Sequence, residues 1–169
     1  MYLNIKKHKI ALLFLLFGLL SFNSFSQETI WFDANFKITS VDKATYYRPT
    51  PTQKRSNYLI IDYYKSGKKF REGKAKSPLL NRELFQGVVT YYFSDETVFK
   101  KVTFKKGIVD GTYLEYYKTG ELKVSGRFDD GKKNGNWKIY NRNGKIKSKG
   151  TYRDDEKVGV WKTFYKNVY

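Results

Sequence analysis

Four glycines spaced 24 residues apart, Gly87, Gly111, Gly135 and Gly159, open segments that align with one another without a gap. Two steps after each glycine stand Val89, Tyr113, Trp137 and Trp161. Five steps after it stand Tyr92, Tyr116, Tyr140 and Phe164. Val98, Leu122 and Ile146 form a third column, and Phe104, Phe128 and Tyr152 a fourth. A unit this short cannot bury its own apolar side. Successive units must therefore stack, each leaning on its neighbours. A looser copy over residues 58–86 repeats Tyr116-Tyr117-Lys118-Thr119-Gly120 as Tyr63-Tyr64-Lys65-Ser66-Gly67, with extra residues around Ser77-Pro78-Leu79-Leu80.

Each unit reads as a β-hairpin, because two runs rich in Tyr, Val, Phe and Thr are separated by turn residues. Thr119-Gly120 and Asn143-Gly144 mark the turn inside a unit, Asn-Gly being favoured where both residues take positive φ. Asp129-Asp130-Gly131 through Asn134-Gly135 marks the turn between units. Leu122, Val124, Gly126 and Phe128 alternate onto one face. Gly126 and Gly150, in mid-strand, call for an aromatic ring from a neighbouring strand lying over the bare backbone. The positions two and five steps after the glycine differ by three. Either both faces carry aromatics or a bulge re-aims one of them. The expected fold is all-β: an elongated, single-layer antiparallel meander of stacked hairpins, with units starting near 58, 87, 111, 135 and 159. About nine strands would make a sheet roughly 40 Å long.

Residues 1–26 read as a cleaved signal peptide. Lys6, Lys7 and Lys9 precede an unbroken apolar run from Ile10 to Leu20, and Ser24 and Ser26 suit a cleavage after Ser26. A retained anchor is the rival, but a spanning helix needs roughly 20 apolar residues. After cleavage no transmembrane span is left, and the expected location is periplasmic, outer-membrane associated or secreted. Residues 27–57 do not fit the repeat register. They are expected to cap the open edge of the first strand, with a separate docking segment as the alternative. Residues 58–169 form the repeat domain.

Composition removes most chemistry. The chain has no cysteine, and its one histidine, His8, lies in the signal segment. The mature chain therefore offers neither a thiolate nor an imidazole for catalysis or metal binding. The carboxylate pairs Asp95/Glu96, Asp129/Asp130 and Asp154/Asp155 fall in expected turns, where Asp favours tight backbone geometry. No catalytic residue, metal site or cofactor is expected. What remains is charge: 33 Lys+Arg against 16 Asp+Glu, a net +17. Lys132, Lys133, Lys145, Lys147 and Lys149 are the candidate partner-binding patch. Its partner would be a protein or an anionic envelope component such as acidic lipid or anionic polysaccharide. Solubility and edge protection are the competing account. Nucleic acid is set aside because export separates the chain from it.

The pattern resembles the MORN-repeat variant family. The resemblance rests on Gly135-Asn136-Trp137-Lys138-Ile139-Tyr140 with Gly144, and on Phe128-Asp129-Asp130-Gly131-Lys132-Lys133-Asn134-Gly135. It covers residues 87–169 and is weaker at the unit opened by Gly87, which has Val89 for the Trp and Glu96 for the hairpin glycine. The resemblance implies hairpins stacked into an elongated sheet that acts as an interaction module without catalysis. One branch of the family consists of antitoxins, which makes an antitoxin or immunity protein, with a toxin as partner, the alternative function.

Overall fold

The computed structural model describes residues 29–80 and 82–164; the signal segment expected at 1–26 lies outside them. The described chain is a 12-stranded antiparallel sheet. Nine strands follow one another as a meander: β4 (Asn57–Tyr64), β5 (Lys69–Ala75), β6 (Phe85–Tyr92), β7 (Val98–Lys105), β8 (Ile108–Tyr116), β9 (Leu122–Asp129), β10 (Lys132–Tyr140), β11 (Ile146–Arg153) and β12 (Glu156–Thr163). Three short strands of the arm extend it, β1 (Ile30–Phe32), β2 (Tyr46–Arg48) and β3 (Thr52–Lys54). β2 and β3 pair in succession with the outer edge of β4, and β1 pairs with β2. Ile38 bridges Phe32, and the Thr39 amide donates to the Trp31 carbonyl (3.0 Å), so chain also lies along β1's outer edge.

The glycine cadence has a different cause from the one expected. Gly87, Gly111, Gly135 and Gly159 are not at turns. They sit inside β6, β8, β10 and β12 at φ of 76°, 124°, 72° and 65°. At each, the register with the preceding strand shifts. Asn134 pairs with Arg127 but Lys138 with Ser125, so three residues of β10 face one of β9. The same shift recurs at Gln86/Thr90, Val109/Tyr113 and Val158/Lys162. These are bulges, and a positive φ is where glycine is favoured.

The turns between units are correspondingly shorter than expected. Strand pairing runs to Asp129 and resumes at Lys132. Lys106-Gly107, Asp130-Gly131 and Asp154-Asp155 each hold two consecutive residues at positive φ, the two-residue turn whose twist suits a hairpin. At Asn143-Gly144 only the glycine has positive φ, and the Lys145 amide closes a longer loop onto the Asn141 and Asn143 side-chain oxygens. The turns are stitched to the unit before them: Gly107, Gly131 and Asp155 amides donate to the carbonyls of Phe85, Val109 and Lys133.

Burial is concentrated at one end. Ile60, Ala75, Phe85 and Val89 form the apolar cluster, with Tyr58, Tyr91 and Phe104 against it. Here the sheet is not a bare single layer. The loop carrying Phe36 stacks on Phe32, Tyr46 and Phe70, while Glu83, from the β5–β6 connection, reaches Arg48.

Candidate functional site: the two faces of the repeat sheet

Register assigns side chains to two faces. One face, the ring face, carries Tyr113, Phe128, Trp137, Tyr152 and Trp161, which together with Glu115, Val124, Lys133 and Ile139 line a depression of about 250 Å³. Its rings pack on glycine. A Cβ built on Gly126 would overlap the Trp137 indole, and one on Gly150 the Trp161 indole. The mid-strand glycines are therefore covered by rings, as the sequence suggests. Where the unit before has Val102 in place of glycine, the partner is the smaller Tyr113. Trp137 is 4% exposed, between Tyr113, Phe128 and Tyr152. Among the described residues Trp161 has Tyr152 alone as a ring neighbour, and it stays half-buried.

The alternative over the aromatic columns is settled in both directions at once. Bulges exist, yet the two columns lie on opposite faces. Trp137 covers Gly126, whereas the Tyr140 hydroxyl lies 3.4 Å from Ser125 Oγ, on the other side of β9. Likewise the Tyr92 hydroxyl donates to Glu72, away from Val89, which packs into the apolar cluster. Burial, then this bond to Glu72, pushes Tyr92 up to about 12. Burial opposes ionisation of Glu72, but hydrogen bonds from Tyr92 and Lys69 hold its carboxyl below the ordinary range.

The second face is cationic. Cross-strand pairing runs Lys101–Leu114–Ser125–Lys138–Lys149–Lys162, one residue per strand from β7 to β12. The last three are consecutive lysines on adjacent strands, each exposed. No carboxylate stands in the row, and the ion pairs among the described residues include none of its lysines. Like charges directly opposite one another weaken a sheet. The three lysines, with Asn136, Thr151 and Val160, rim a depression of about 270 Å³ floored by Trp137 and Gly150. Thr151 Oγ1 donates to Asn136 Oδ1 (3.2 Å) at its side.

The five lysines singled out from sequence do not share one surface. Lys149 belongs to the row. Lys133 is on the ring face, its ammonium 5.2 Å from the Trp137 ring centroid and 5.1 Å from that of Tyr152. Lys157 repeats this over Trp161 at 4.5 Å. Lys132 stands 3.8 Å from Asp154 beside a turn, Lys145 is in the β10–β11 turn, and Lys147 is the extra residue at a register shift. Lys138 and Lys162 were missed. They stand three steps after their glycines, and Lys101 and Lys149 stand fourteen steps after theirs. Those two columns meet only once strands are paired.

Among the described residues no three His, Cys, Asp or Glu side chains gather where a metal could be held. No described helix is long and apolar enough to cross a membrane. Residues 109–130 and 133–154 each match the family model described as MORN repeat variant. Each match covers most of one hairpin, β8–β9 and β10–β11. These two hairpins are therefore similar to MORN-variant repeats, which are generally protein- or membrane-binding modules. No curated protein matches the chain.

Proposed function

We propose that this repeat sheet is an exported, non-catalytic module that holds an anionic component of the cell envelope on its cationic face. The observation that carries the reading is the Lys138–Lys149–Lys162 row, three like charges in register with no acidic neighbour in the row. A stable sheet has no need of such a row. Its cost is offset when a ligand supplies the missing negative charge. The ring face is less suited to the task, because its indoles are spent on covering glycines. Export rests on the charged start and apolar run of residues 1–26.

Sedimentation of the purified chain with isolated envelopes tests the binding. Co-pelleting should fall steeply with salt and disappear in Lys138→Glu/Lys149→Glu. Equal pelleting by that variant would overturn the assignment of the face. N-terminal sequencing of the protein recovered from its native host should begin at Gln27; an intact start in the cytoplasmic fraction would overturn export.

A further inference from the structure

We infer that the Lys138–Lys149–Lys162 row seats a linear acidic polysaccharide, lying across the strands with one acidic sugar for each lysine. This rests on the cationic face being the binding face and names its ligand. The first argument is spacing. Paired residues on neighbouring strands repeat at the strand separation of about 4.8 Å. A pyranose linked through opposite ring carbons advances a chain by about the same step. The long, flexible lysine stems let neighbouring ammonium groups reach successive carboxylates of a polyuronate that advances at this step. The second argument is shape. The cations stand in single file over a shallow depression, which matches a chain and not a broad surface.

The third argument is the company the lysines keep. Asn136 and Thr151 line the depression, and Ser125 continues the row. The Asn136 oxygen accepts from Thr151, which leaves its amide nitrogen for a sugar hydroxyl. A bilayer surface would call for several apolar side chains to insert beside the cations, and Val160 is the one large apolar side chain on this rim, the Trp137 indole lying on the opposite face. A single-stranded nucleic acid would call for rings on which bases stack. Two rings flank the row at separate points, Phe164 with its centroid 5.8 Å from Lys149 Nζ and Tyr140 with its hydroxyl 3.4 Å from Ser125 Oγ, and neither makes a continuous stacking run; Trp137, Tyr152 and Trp161 lie on the opposite face.

The test is a titration of the purified chain with galacturonate oligomers of one to six units. The comparison ligands are a neutral oligomer of the same linkage, phosphatidylglycerol vesicles and a single-stranded oligonucleotide. Affinity for the uronate should climb about tenfold or more between the monomer and the trimer and then flatten, as each lysine finds its carboxylate. Lys138→Ala/Lys149→Ala/Lys162→Ala should lose that gain, and the slope of log affinity against log salt should fall by roughly two. Lys138→Arg/Lys149→Arg/Lys162→Arg should retain binding, and Lys145→Ala should leave it unchanged. No length dependence, or equal binding by the triple alanine variant, overturns the inference. So does tighter binding of vesicles or oligonucleotide through the same row. If envelopes still bind through the row while uronates do not, this inference falls and the cationic-face reading stands. If the row is dispensable for envelopes, both fall.

Discussion

The two ends of this sheet bury their interiors by different means. Toward the arm, loops fold over the ring face and enclose an ion cluster: Arg48 (1% exposed) donates to Asp62 (0%) at 2.6 and 3.2 Å and to Glu83 at 2.9 Å, while Arg71 reaches Asp62 from β5. Burial works against the Arg48 charge, but its bonds to Asp62 and Glu83 hold its pKa above the ordinary value. Among the described residues no loop folds over the repeats. Beyond Val89 the buried apolar side chains are Val102 and Trp137. There the units opened by Gly135 and Gly159 cover their predecessors with an indole laid on glycine and a lysine over the indole, and the unit opened by Gly111 lays Tyr113 against Val102. A single layer can be made stable by adding a cover or by making each strand the cover of the last. This chain does both, changing over near β7.

The comparison is most severely tested at Asp62. Asp62→Ala strands two guanidinium groups, one fully buried, and should cost up to about 5 kcal/mol in denaturant unfolding. A cost as small as that of an exposed pair would mean the arm is not locked to the sheet. Trp137→Ala should cost about 3–5 kcal/mol, whereas Trp161→Ala, at a half-buried ring with one ring neighbour, should cost less than half of that. Equal values would show that the rings do not pack as a ladder. Gly126→Val should cost about 1–3 kcal/mol through overlap with the indole. The double change Gly126→Val/Trp137→Tyr copies the Val102/Tyr113 pair of the unit before and should recover most of it. A purely additive double mutant would refute the size complementarity.

Alkaline pH acts on both ends. Burial and Glu72 push Tyr92 to about 12, and burial and Glu115 push Tyr113 to about 12, from an ordinary value near 10. A raised folded-state pKa means the folded chain keeps the proton. The associated stability is complete below pH 10 and is lost as pH rises toward 12. Tyr92→Phe/Tyr113→Phe should flatten the fall in melting temperature over that window. The smallest effect belongs to the cationic face. Lys149→Ala relieves two like-charge oppositions and should raise stability by about 0.2–1 kcal/mol, with envelope binding weakened. Destabilisation by this substitution would show that the row serves folding.

Much of the architecture was legible because it is written locally. The period, the strand pairs and the rings over Gly126 and Gly150 follow from side-chain size and spacing along the chain. The cause of the cadence was not legible. A glycine at a bulge and a glycine at a turn look alike in sequence, since both answer to positive φ. The ion cluster escaped notice because Arg48, Asp62, Arg71 and Glu83 are far apart in the chain, in the arm and in the loosest copy of the unit.

By itself the sequence determined the hairpin unit, its repetition and the absence of thiol chemistry. These depend on residue type and interval alone. Tertiary structure decided which lysines stand together, because the glycine bulges of β6, β8, β10 and β12 reset the pairing with the strand before each of them. Lys138 therefore meets Lys149, and Lys149 meets Lys162, while Lys133 turns to the rings. No count along the chain contains that sum of local shifts across neighbouring strands.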